Sequence, residues 1–498
     1  MKTLIALTVA AVALMVGGAS AQTCGFDVCV GQSWQAAYAV ADYGEEVTLE
    51  PGSHPAQSLN FVTAKASEAD EPNVVFQGGP GVSVAGLTTY GLRHVTFTGL
   101  DAGDVVFECE DTGIPVEARG QHPLDVAVLD SKLRTTRSEN ASNILFARNE
   151  IGPSSTVNKV NASADSNGGN CTDEPPSNIV YEDNDIHNFR ESSAASHMEC
   201  LFVEGVQGLV IRRNIFRACS VFDLFFKRQG AAAAFGMSGI LIENNMLGHP
   251  VASAFRTAGS TALSFSGATG TTYANLTVRN NSANAQILLR DDLGVAFTNT
   301  LIEGNLALQH SGDCLLLGVT MRNNGWFNPG QACAADLGDN QVSGWADVET
   351  QAELDSPTSD PTIDYHLSAG AWAIDRSPAG PVQDFDQQAR PIGSAFDVGA
   401  DEWMPPLDTS PPSAPSALVI SDPQFSSVLL SWQASSDDRG VAGYRVYLDG
   451  ALVADSSALS SLVPGLAAEQ HGLEVEAYDA AGNVSPRASL TVFRSWRT

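Results

Sequence analysis

Basic residues are few. Lys and Arg number 26 against 57 Asp and Glu, a formal net charge of −31 over 498 residues. A surface of that sign repels nucleic acid and anionic lipid, so neither is expected as a partner, although a local cationic groove stays open. Long apolar runs are also scarce. The run from Leu4 to Val16 stands between Lys2 and Ala19-Ser20-Ala21, the order of a basic leader, an apolar stretch and a small-residue cleavage site. Residues 1–21 are therefore read as a signal peptide. No other run is long enough to span a bilayer, so membrane insertion is not expected; the mature chain should be secreted, extracellular or at the cell surface, and a monomer. The eight cysteines, at 24, 29, 109, 171, 200, 219, 314 and 333, include no C-x-x-C pair, which argues against a thiolate zinc site. Their even number in an exported chain favours disulfides, whose connectivity the sequence leaves open.

Helical periodicity is missing from most of the chain as well. Short Val- and Phe-rich runs separated by Gly, Pro and Asp take its place: NVVFQGG from Asn73, GLRHVTFTGL from Gly91, DVVFEC from Asp104 and LDVAVLD from Leu124. After residue 140 an apolar segment ends repeatedly in Asn, at 149, 184, 214, 245, 281, 305 and 324, each with an apolar residue three places earlier. The intervals, 35, 30, 31, 36, 24 and 19 residues, suit the coils of a solenoid with loops of variable length. Asn suits the turn because it tolerates left-handed backbone and its amide can bond to the equivalent Asn one coil away. The stretch from Gln35 to His54 reads as a short helix followed by a strand, fit to cap the open end.

These repeats resemble the right-handed parallel β-helix repeat family, the architecture of pectate-lyase-like proteins, over about residues 35 to 350. The pieces DFDQQARP and DVGADEW, between Asp360 and Trp403, are similar to the terminal region that follows such helices in bacterial exported proteins. After a Pro/Ser-rich linker at 404–417, the alternating segments from 418 to 498 resemble a fibronectin type III domain, with Trp432 as its core tryptophan and His471 where the family usually places a corner tyrosine. The fold expected is all-β: a right-handed parallel β-helix with an N-terminal cap over 22–350, terminal rungs and a C-terminal cover over 351–403, and a small β-sandwich over 418–498.

Chemistry is expected where CLFV at 200–203 and LFFK at 224–227 lie 24 residues apart. Strict alternation puts His197, Glu199, Leu201 and Val203 on one face, and Val221, Asp223, Phe225 and Lys227 on the matching face of the next coil. A solenoid interior cannot hold unpaired charge, so this face is read as external, with Cys200, Phe202, Leu224 and Phe226 in the core. Arg256 and Arg290 would follow beneath Lys227. The result is a wall with His197, Glu199 and Asp223 on one side, Lys227, Arg256 and Arg290 on the other, and Phe225 between. Such a wall suits an acidic sugar polymer. It would support β-elimination, in which one group neutralises the uronate carboxylate and a base removes the C5 proton. Ca²⁺ held by Glu199 and Asp223 would do the first, and Lys227 or Arg256 the second. The resemblance implies a polysaccharide partner, and a lyase-like enzyme is the favoured reading. A non-catalytic glycan-binding or adhesive protein, a C5-epimerase and a glycoside hydrolase are the alternatives on the same fold. The catalytic strings of polygalacturonases and pectate lyases are not found.

Overall fold

The computed structural model describes residues 24–67, 69, 71–109, 113–161, 171, 174–193, 197–227, 235–248, 261–267, 270–290, 294–311, 316–326, 365–421, 426–467 and 469–493. The signal-peptide reading, Arg256, Cys314, Cys333 and residues 351–364 lie outside them.

Residues 1–403 form one unit and 404–498 another. The first is a parallel solenoid: among the described residues, one sheet of 12 strands and one of 16 are each built by pairing every strand with its counterpart a coil away. Register is set by stacking like on like. Val74, Val95, Val126, Ile144, Ile179, Leu209, Ile240 and Leu276 are successive partners, as are Phe76, Phe97, Val128, Phe146, Tyr181, Ile211, Ile242, Val278, Ile302 and Met321. Both columns are buried and form the core. A one-residue slip would turn them outward, so burial enforces the register.

Two residues carry each turn between the apolar segment and the next strand. The residue before the repeated Asn takes left-handed backbone, as in Arg148, Asp183, Arg213, Asn244, Asn280 and Asn323, with φ between 50° and 56°. The repeated Asn itself is buried and forms a ladder. The backbone N–H of Asn149, Asn184, Asn214, Asn245, Asn281 and Asn305 each donates to the Oδ1 of the next Asn at 2.9–3.1 Å. Each Nδ2 donates to that same oxygen and to a backbone carbonyl of the preceding coil, such as Tyr181 O for Asn214. The bonding expected of the column is present, and the left-handed turn falls one residue earlier than expected. Outside the ladder, charge alternates between coils: Glu182 with Arg212 at 2.6 Å, Glu243 with Arg279 at 2.7 Å, and Glu303 with Arg322 at 2.6 Å.

The N-terminal helix, Trp34–Val40, closes the first coil by laying Trp34 on Phe76 with ring centroids 5.6 Å apart. The cover differs from expectation. Residues 365–403 contribute isolated bridges and no strand of either sheet. They run as a strap along the flank, where Gly399 N donates to Gly304 O at 2.8 Å and Asn280 Nδ2 to Asp397 O at 3.1 Å. Tyr365, Leu367, Val398 and Ala400 pack there on Met246 and Leu306. A segment this rich in Gly, Pro and Asp has no apolar period with which to build rungs, so side-chain contacts must hold it. The buried Arg390–Glu402 pair at 2.9 Å is one such contact.

Among the described residues, the second unit is a sandwich of a three-stranded and a four-stranded antiparallel sheet, closed over Val428, Leu430, Trp432, Tyr444, Val446 and Val475. His471 is buried at the corner; its Nε2 lies 3.3 Å from Ala467 O and its Nδ1 2.7 Å from Asp449.

Replacing Asn214 by Ala leaves Asn184 N–H, Asn184 Nδ2 and Tyr181 O without that partner inside the wall. Guanidinium unfolding of Asn214→Ala is expected to show a loss of about 3 kcal/mol, well above the cost of a typical exposed substitution.

Candidate functional site

Two neighbouring strands, Glu199–Glu204 and Phe222–Phe226, make the wall on which chemistry was expected. Both turn a corner of the solenoid at the same place. Cys200 and Leu201 are both buried, as are Asp223 and Leu224, so alternation skips one residue in each strand. Beyond the corner Leu201 and Val203 join Leu224 and Phe226 in the core, while Phe202 and Phe225 stack on the outer side with centroids 5.5 Å apart. The expected faces of Leu201, Val203 and Phe202 are therefore exchanged. The Cys200–Cys219 disulfide sits at the bend.

An open cleft of about 410 Å³ follows. Its floor is Phe202 and Phe225, with Val157 beside them; its rim is Lys159, His197, Glu199 and Lys227. His197 is 47% exposed, and its Nδ1 lies against the carboxylate of Glu199, whose side chain is 3% exposed. The imidazole stands 5.8 Å from the Phe222 ring and 5.7 Å from Phe225, so a buried carboxylate and two aromatic rings fix its position. Lys159 lies over Phe202 at 5.6 Å and Lys227 over Phe225 at 6.0 Å. An ammonium group is attracted to a ring face at such distances, so the two aromatic rings hold the lysine heads at the cleft surface.

The register shows where the charged groups come from. Arg137, Lys159, Phe202, Phe225 and Ser264 are successive partners along one row. In the next row, Glu139, Asn161 and Glu204 are partners. That row continues to Lys227, Ser266 and Arg290, whose N–H groups donate one coil back to Val203, Phe226 and Phe265. Arg290 thus follows Lys227 along the solenoid with Ser266 between them, and it is exposed. Glu204 is buried, and burial pushes its carboxyl above the usual range, while Lys159 at 3.5 Å and Lys227 pull it back down.

Asp223 does not belong to this wall. It is fully buried, and one of its oxygens lies within 4.8 Å of the disulfide sulfurs of Cys200 and Cys219. Its charge acts on Tyr365 of the strap. Neither oxygen has a hydrogen-bond partner among the described residues, and burial drives its carboxyl well above the ordinary value. Of the pair expected to hold Ca²⁺, Glu199 lines the cleft and Asp223 does not. Sequence reasoning passed over Lys159 and Glu204, and it assigned Phe202 to the core. Glu204 stands 23 residues before Lys227, the offset at which the two strands pair, whereas the 24-residue spacing of CLFV and LFFK sets Val203 opposite Lys227.

No family model matches the chain. Chitinase Chi52 of Paenibacillus xylanexedens is 47% identical over 99 residues, 20% of this chain and 19% of that protein. Chitinase D of Niallia circulans is 33% identical over 172 residues, 34% of this chain and 30% of that protein. Exoglucanase B of Cellulomonas fimi is 33% identical over 150 residues, 30% of this chain and 12% of that protein. The chain therefore spans less than a third of each of these relatives.

The buried Asp223 gives a pH signature. Its folded pKa lies above its unfolded value, so its contribution is fully present below about pH 4 and is lost as pH rises through the folded pKa. Asp223→Asn removes this dependence. Thermal unfolding is expected to show the variant at least as stable as the parent at pH 8, with the difference shrinking toward pH 4, and its cleft function intact.

Proposed function

We propose that this chain is an exported carbohydrate-active protein whose solenoid cleft binds a uronic-acid-containing polysaccharide and cleaves it by β-elimination. The observation that carries the reading is one cleft that joins an aromatic floor, two lysines and an imidazole fixed by a buried carboxylate. Short stretches shared with two chitinases and an exoglucanase support the carbohydrate setting, and the three disulfides among the described residues suit an exported protein. Because the relatives' names span chitin and glucan chemistry, they leave the polymer open.

In this reading the apolar face of a sugar ring lies on Phe202 and Phe225. Lys159 and Lys227 neutralise the C6 carboxylate, which acidifies the C5 proton. With Nδ1 held by Glu199, His197 presents Nε2 to the substrate and removes that proton. The C5–H electron pair forms the C4–C5 double bond, and the C4–O bond breaks. The departing oxygen takes a proton from water or from Glu204, whose burial favours the protonated form. Lysines thus fill the neutralising role first assigned to Ca²⁺. Arg290 would extend the cationic row toward the next sugar, as was proposed for it and Arg256.

Glycoside hydrolysis is the second reading, favoured by the raised Glu204 carboxyl and by the relatives. One experiment separates them: absorbance near 235 nm and reducing-end release, followed together on a panel of uronic-acid polymers. Elimination gives both signals, and His197→Ala is expected to lose about 10²–10⁴-fold of each, the usual worth of a positioned base. Hydrolysis gives reducing ends alone. Neither signal on any polymer would leave a glycan-binding solenoid.

A further inference from the structure

The strap holds a cluster that the cleft does not use. His366, Asp386 and Asp401 come from its beginning, middle and end, and one ligand atom of each lies within 4.8 Å of the others. His366 Nε2 stands 2.6 Å from Asp386 Oδ2, both side chains being 34% exposed, so the cluster is open to solvent on one side. Asp401 closes it from beneath. That residue is only 5% exposed. Its Oδ2 accepts from Leu367 N–H at 2.7 Å, and among the described residues its carboxylate makes no other hydrogen bond and no ion pair with Lys or Arg. Nearby Asp384 is already committed, accepting from Gln388 N–H at 2.8 Å and Glu402 N–H at 3.3 Å. Asp401 is thus a buried carboxylate that faces two further carboxylates, Asp384 and Asp386, and the imidazole of His366.

We propose that His366, Asp386 and Asp401 bind one divalent transition-metal ion of the Zn²⁺ type, which staples the strap across its length. One imidazole nitrogen and two carboxylates suit such an ion, whereas Ca²⁺ and Mg²⁺ favour all-oxygen sets. The solvent-open side leaves room for water to complete the coordination. The chemical setting fits the need. A strap without strands must be closed by cross-links, and an ion joining residues 366 and 401 closes nearly all of it.

The test uses the full chain, stripped with chelator and then dialysed, and titrated with Zn²⁺, Ca²⁺ or Mg²⁺ by calorimetry and by thermal unfolding. His366→Gln keeps a donor for Asp386, so it should fold; circular dichroism checks this. The expected result is one Zn²⁺ bound by the parent and raising its unfolding temperature, with Ca²⁺ and Mg²⁺ weaker. Both effects should be lost in folded His366→Gln and in Asp401→Asn. No Zn²⁺ binding by the parent, or binding and stabilisation unchanged in folded His366→Gln, would overturn the proposal. Because the readout is metal binding and unfolding, it is independent of activity at the cleft.

Discussion

Each buried amide in the column from Asn149 to Asn305 bonds to the coil before it and the coil after it. A hydrogen bond of this kind adds about 1 kcal/mol net, but a buried amide left unpaired costs more than that. The ladder therefore acts less by adding stability than by forbidding other registers. Once the phase of every coil is fixed, a given position points the same way on each rung. The apolar columns beside the ladder, led by Phe146, Tyr181 and Ile211, then meet without slippage. All that lies on the outer walls inherits its place from this alignment.

The cleft shows what the alignment permits. Lys159, Phe202 and Phe225 come from three coils separated by long loops, yet their strands stack them in one row. Lys227 joins from the adjacent row, next to Glu204. In a chain with 57 acidic residues against 26 basic ones, cations close together on a wall are a local reversal of the overall field. Such a reversal is what an anionic polymer would need in order to approach. His197 adds an imidazole to this wall, and buried Glu199 orients it.

Much of this was legible in the sequence. The Asn positions marked the coils, with an apolar residue three places before each, and the change in composition after Trp403 marked a second β module. Glu199, Phe225, Lys227 and His197 were placed on one wall because charge cannot sit unpaired in a solenoid interior, and the four line one cleft. Asp223 was misplaced for a physical reason: strict alternation assumes a straight strand, and at the corner two consecutive residues turn inward in both coils. The same skip moved Phe202 from the expected core to the cleft floor. Lys159 was overlooked because NKVN from Asn158 is a short strand between long loops, and its value appears only when its register with Phe202 is known. Residues 351–403 were read as terminal rungs plus a cover, and the described part, 365–403, carries buried apolar residues such as Tyr365, Leu367 and Val398. They pack on the flank instead of stacking within the coil.

The most direct measurement is hydrogen–deuterium exchange with and without a uronic-acid oligosaccharide. The account predicts slowed exchange in 197–204 and 222–227, around the Phe202–Phe225 floor, with no change in the sandwich strands from Ser416 to Phe493. Protection confined to the sandwich, or to the opposite sheet around Ser177–Glu182, would contradict it.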